Sequence, residues 1–181
     1  MTDAEKITFL KKFTHTESGD VKRDKFVLFA KKGSGDSSTY EAIGYKQESA
    51  AIANNYDTTE LTDILGTKYK EINDKSESIE MSEYHINKDK SAFLDEAFKY
   101  TIAGLENQLN DYDLLMVFSW LVDSSGKMLA RHITDCTLTL DNLGGQAYTM
   151  ADVTFSGISD GEYGTVASLD NPTFTPGTAT E

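Results

Sequence analysis

The run Leu114-Leu115-Met116-Val117-Phe118-Ser119-Trp120-Leu121-Val122 is apolar on both alternating faces, and Asp123-Ser124-Ser125-Gly126 follows it directly. A short apolar run closed by a turn suits a central strand covered on both sides. Beyond it, residues 128–140 read as a long strand ended by Asp141-Asn142-Leu143-Gly144-Gly145. Residues 147–158 alternate again, Ser159-Asp160-Gly161-Glu162 makes another turn, and 163–169 complete the pattern. Turns at this spacing predict an antiparallel meander. The expected fold is mainly β, with two packed antiparallel sheets in a sandwich or barrel-like arrangement.

Upstream of the meander stands the one strong helical pattern, predicted over 89–103 with Asn87 or Asp89 as its N-cap. Phe93, Ala97, Phe98 and Ile102 are its expected packing residues, and Gly104 its expected end. With no second strong helix in the chain, this one is expected to flank a sheet. Residues 68–72 and 77–84 bracket Asn73-Asp74-Lys75-Ser76, a plausible hairpin turn. In the second of these segments Ile79 and Met81 face one way and Ser78, Glu80 and Ser82 the other.

Residues 49–67 hold few core residues for their length. A long hairpin or loop, projecting from the body and ordered against a neighbour, would account for them. Before them, Phe26-Val27-Leu28-Phe29-Ala30 reads as a strand, 31–39 as a Gly- and Ser-rich loop, and 40–53 as one or two weaker strands. Residues 1–25, with Ile7, Phe9, Leu10 and Phe13 as apolar anchors, are expected to be an arm or irregular segment that packs on something, and 171–181 an extended, partly mobile tail. All of this fits one domain in 181 residues.

The net charge is −13, from 30 acids and 17 bases. Residues 1–40 carry eight bases and six acids, 41–113 seven and sixteen, and 114–181 two and eight. A surface this acidic argues against nucleic acid as a tightly held ligand, because such binding draws on clustered Lys and Arg. A mildly basic first arm, with Lys22, Arg23, Lys25, Lys31 and Lys32, could attract an acidic neighbour. The single cysteine, Cys136, excludes an intrachain disulfide and suits a buried position in a reducing compartment. The opening residues lack the pattern of a signal peptide, and no apolar stretch is long enough to span a membrane.

Catalytic chemistry finds no foothold. His15, His85 and His132 share no ligand spacing. His132 and Asp135 fall on opposite faces of a strand, and His132 and Cys136 stand about 13 Å apart along one, beyond proton-transfer reach. Asp57, Glu60 and Asp63 lack a calcium-loop pattern, and neither Gly33-Ser34-Gly35 nor Gly144-Gly145 is a phosphate-cradling motif. The expectation is a non-enzymatic structural protein with no metal and no cofactor.

The stretch Ala53-Asn54-Asn55-Tyr56-Asp57-Thr58-Thr59-Glu60-Leu61-Thr62-Asp63-Ile64-Leu65-Gly66, with Glu77-Ser78-Ile79-Glu80-Met81 after it, resembles the major tail tube proteins of long-tailed bacteriophages with flexible, non-contractile tails. The resemblance covers roughly residues 25–170 and rests on loop residues rather than on a catalytic signature. It implies a β-sandwich with a flanking helix, assembled as a homo-oligomer of hexameric rings stacked head to tail. It implies a tube around a tape measure protein, capped by tail tip and terminator proteins, through which DNA passes without specific binding. It implies a virion component assembled in the host cytoplasm. It assigns Asn54, Asn55, Tyr56, Asp57, Thr58, Thr59, Leu61, Ile64, Leu65 and Gly66 to an inter-subunit loop. It makes Glu77, Glu80 and Asp152 the candidate charges of an acidic lumen wall. The alternative is another virion structural module or a glycan-binding β-sandwich.

Overall fold

A computed structural model describes residues 1–32, 39–44, 50–158 and 160–178. The Gly33-Ser34-Gly35 loop, the middle of the weak 40–53 segment and Ser159 lie outside the described residues. In chain order the elements are α1 (Asp3–Leu10), β1 (Thr14–His15), β2 (Phe26–Lys32), β3 (Glu41–Ile43), β4 (Ala51–Thr62) and β5 (Lys68–His85). Then follow α2 (Ala92–Ile102), β6 (Tyr112–Val122), β7 (Met128–Gly144), β8 (Met150–Ile158), β9 (Glu162–Val166) and β10 (Thr175–Pro176).

The fold is the expected mainly-β, sandwich-like one, and it does not close into a barrel. Its strands form one antiparallel sheet in the order β3-β2-β6-β7-β8-β5-β4, folded into two layers that share β7. The first part of β7 pairs with β6 and β9, and the part from Thr137 onward pairs with β8. The switch lies at a bulge where Asp135 takes φ +60. A bulge adds one residue, bends the strand and flips the side chains that follow to the other face. Ile133 is buried before it, and Cys136, Leu138 and Leu140 after it.

The main core lies between the layers. Leu28, Leu114, Met116 and Ile133 from one layer meet Ile79, Met81, Leu138, Val153 and Phe155 from the other, with Phe93, Leu94 and Ala97 of α2 alongside. The first layer is also covered on its far side. Phe29, Leu115, Val117 and Val166 pack there with Phe174, and Phe9 and Phe13 of the N-terminal arm pack on Leu129. This double cover explains why β6 is apolar on both faces.

Four expectations about the path of the chain need correction. The N-terminal arm packs on the body through Phe9 and Phe13 as expected, but it is not irregular throughout: it begins with α1, started by a capping box in which the Thr2 and Glu5 side chains each accept the other's backbone N–H. The turn expected at Asn73-Asp74-Lys75-Ser76 does not exist, because β5 runs straight through it. The real turn is at residues 63–67, where the Asp63 carboxylate accepts the N–H groups of Leu65 and Thr67, each at 2.8 Å, and Gly66 takes φ +80. Helix α2 is not capped by Asn87 or Asp89, since Asn87 heads a separate turn; the Glu41 carboxylate of β3 accepts the Ala92 N–H instead, at 2.7 Å. The C-terminal segment folds back on the body, where Pro172 is buried, Phe174 packs on the far side of the first layer and β10 pairs with β9.

On α2, Phe93 and Ala97 are buried and Phe98 is partly buried against the core, but Ile102 is 65% exposed and Leu94 is the buried neighbour instead. Ile102 stands nine residues beyond Phe93, about 180° around a helix. Gly104 ends the helix as expected, at φ +67 and with Leu105 N–H donating to the Tyr100 carbonyl in a Schellman turn.

Candidate functional site

Strand β5 pairs with β8 only as far as Glu77 opposite Ile158. Among the described residues, 68–76 continue past that point with no strand partner but β4. Nine further residues at about 3.3 Å each make a two-stranded ribbon reaching about 30 Å beyond the layer. The long segment with few core residues is this ribbon. It places Asn54, Asn55, Tyr56, Asp57, Thr58, Thr59 and Leu61 on β4 and Ile64, Leu65 and Gly66 in the turn. Ile64 and Leu65 are 102% and 85% exposed, Ile72 66% and Tyr56 53%.

The turn has a twin. At 123–127 the Asp123 carboxylate accepts the N–H groups of Ser125 and Lys127, with Gly126 at φ +76. The two turns share their geometry and differ at the tip: two serines in one, Ile64 and Leu65 in the other. The backbone does not require apolar residues there, so the choice concerns what the tip touches.

The ribbon is anchored by buried charge. Arg131 Nη1 on β7 meets Glu77 Oε2 at 2.7 Å, with both side chains under 10% exposed. Lys75 Nζ bonds the other Glu77 oxygen, and Arg131 Nε donates to the Asp160 carbonyl at 2.8 Å. Burial works to raise the Glu77 pKa, but the bonds from Lys75 and Arg131 outweigh it and hold the carboxyl below its ordinary value. Glu77 therefore does not stand on an open wall with the other two candidate charges.

Glu80 and Asp152 do lie on the outer face of the β7–β8–β5–β4 layer. Side chains there alternate cleanly. Leu138, Phe155 and Ile79 point inward in one row, while Thr139, Thr154 and Glu80 form the adjacent outward row. Asp141 stands opposite Asp152 on the same face, and Thr137 opposite Ser156. Short of the ribbon, the outward positions on the described strands are Ser, Thr, Ala, Asn, Asp and Glu, with His85 and Met150 paired at one end and no Lys or Arg. Asp152 also holds the local backbone in place. It accepts Asn142 Nδ2 at 2.6 Å and the Glu83 N–H at 2.9 Å, bonds that lower its pKa. Glu83 and Asn142 are both at positive φ, so one carboxylate secures two bulges.

Two edges of this layer carry no strand partner among the described residues: the long outer edge of β4, and the edge of β7 beyond Cys136 on its β6 side. The basic arm is largely occupied within the chain, with Lys25 on Glu17, Lys31 on Asp113 and Lys32 over the Tyr100 ring. Elsewhere, Cys136 is fully buried, and burial first and then Asp113 and Asp135 push its thiol up to about 12. His132 Nε2 lies 3.7 Å from Asp113. Among the described residues no group of three or more His, Cys, Asp or Glu is placed to hold a metal ion, and no helix is long and apolar enough to cross a membrane.

By sequence, no family model and no curated protein matches this chain. By structure, it is similar to a chain of the sheath–tube complex of an extracellular contractile injection system, PVC, in its extended state. The identity there is 16%, the coverage 92% of this chain and 100% of that one, and the TM-score 0.50. It is also similar to the tube-terminating cap of the anti-feeding prophage, at 17% identity, 84% and 95% coverage and TM-score 0.49. A third likeness is to the PVC sheath/tube terminator, at 17%, 77% and 93%, and 0.48. At such identity the first of these shows a shared, tail-tube-like fold and no more; the other two add no argument.

Proposed function

We propose that this chain is the structural subunit of a tail tube, assembling with copies of itself into rings that stack into a hollow conduit. One observation carries the reading: a single sheet face studded with Glu80, Asp141 and Asp152, without Lys or Arg on the described strands, on a layer with two open strand edges. Two different edges on one layer suit heterologous pairing between copies, which closes into a ring and removes the edges. A wall without Lys or Arg gives a passing phosphate backbone nothing to bind, since each such contact would release counterions and add affinity. The ribbon suits contact between subunits, because an isolated two-stranded hairpin is marginal in water.

Six subunits per ring, a tape measure protein within, tail tip and terminator proteins at the ends, and genome passage follow from the resemblance to phage tail tubes. Glu80 and Asp152 are then lumen-wall charges, and the particle is built in the host cytoplasm. A non-contractile tail and a contractile injection machine use the same tube logic; binding of a sheath protein separates them. Negative-stain microscopy of the concentrated protein tests the core of the proposal. Rings or hollow tubes are expected, and a monomer that persists at millimolar concentration would refute it.

A further inference from the structure

The ribbon has two chemically opposite faces, and we infer that it docks on a second copy of the chain through one of them, the face bearing Tyr56, Lys68, Lys70 and Ile72, while the other stays in water. The inference rests on the self-assembly proposed above and names the surface that performs it.

Residues paired across β4 and β5 share a face. Tyr56 opposite Lys75, Thr58 opposite Ile72, Glu60 opposite Lys70 and Thr62 opposite Lys68 make one face. Asp57 opposite Asp74, Thr59 opposite Glu71 and Leu61 opposite Tyr69 make the other. The first face carries three lysines against one glutamate, and the second three acids and no base. A bulge between Asp57 and Thr58 lets β5 carry the extra residue Asn73 without disturbing this division.

Charge selects the docking face. Each copy is at −13, so copies repel, and a surface that presents excess positive charge is where one can approach another. Lys68 and Lys70 are exposed, and neither forms an ion pair among the described residues, whereas Lys75 on the same face is held by Glu77. The same face offers Ile72 and Tyr56 as exposed apolar anchors. On the opposite face Leu61 and Tyr69 are direct cross-strand partners; Leu61 is half-buried and Tyr69 47% exposed, so the acids beside them, more than the apolar area, set this face apart. Asp57 facing Asp74 is a like-charge pair, least costly when solvated and worse against an acidic neighbour. This acidic face also continues, strand by strand, the outward face that carries Glu80.

The test compares two double variants by sedimentation at one protein concentration, with a thermal melt to establish that each monomer is folded. Lys68→Glu with Lys70→Glu is expected to lower the assembled fraction about tenfold or more. Asp57→Asn with Asp74→Asn is expected to leave it unchanged or raise it. Assembly that survives the lysine reversals, or that is lost on neutralising the aspartates in a folded monomer, overturns the inference while leaving self-assembly intact. A wild-type chain that never assembles overturns both.

Discussion

Arg131 and Glu77, 54 residues apart in sequence, meet at 2.7 Å where the ribbon leaves the body. The contact ties β7, the strand common to both layers, to the point at which β5 loses its β8 partner. Direction is thereby imposed on an otherwise unsupported ribbon.

Glu77→Gln is expected to cost about 3 kcal/mol at neutral pH, because it leaves the buried Arg131 without its counter-charge. The Glu77 pKa is depressed in the folded chain. Its contribution is therefore fully present above the unfolded carboxylate value of about 4.3 and fades as pH falls through the lower folded value. Urea midpoints of wild type and variant should begin to converge as pH falls below the unfolded value and should meet only below the folded one.

Ile64→Ser with Leu65→Ser should change monomer stability by less than about 0.5 kcal/mol, since both side chains are in solvent. Assembly should weaken markedly, as read by light scattering. Loss of monomer stability without loss of assembly would contradict the role given to the tip.

Leu94→Ala should cost about 2–5 kcal/mol, and Ile102→Ala under about 0.5. Leu94 is fully buried on α2 and Ile102 is on its opposite side. Chemical denaturation of the two variants checks the helix orientation directly.

Gly164→Ala should detach the C-terminal segment. An added Cβ would stand 2.2 Å from the Thr175 carbonyl oxygen and 2.6 Å from the Phe174 ring. Limited proteolysis should then cleave after residue 170 far faster than in wild type, with the rest of the chain protected.

Much of this architecture was legible in period-two alternation: Ile79 and Met81 inward, Ser78, Glu80 and Ser82 outward, and β6 apolar on both sides. The alternation fails where bulges flip parity, at Glu83, Asp135 and Asn142, and each of these is a polar residue at positive φ that a linear reading takes for ordinary strand. Asp63-Ile64-Leu65-Gly66-Thr67 repeats the chemistry of Asp123-Ser124-Ser125-Gly126-Lys127, and comparing the two would have found the true hairpin turn. The apolar tip disguised it, and Asn73-Asp74 drew the turn to what is a bulge. Burial of Glu77 was not visible in the sequence, since it depends on Arg131 arriving from a distant strand. Ile102 was misplaced because a broad apolar stripe spreads further around a helix than its packed face.

Because β7 belongs to both layers, the layers are joined by covalent backbone as well as by side-chain packing. Neither can melt while the other keeps its full complement of strands, so heat should take the isolated chain apart in one concerted step. In a filament under tension, a pull on one layer would run through that backbone into the other instead of peeling them apart.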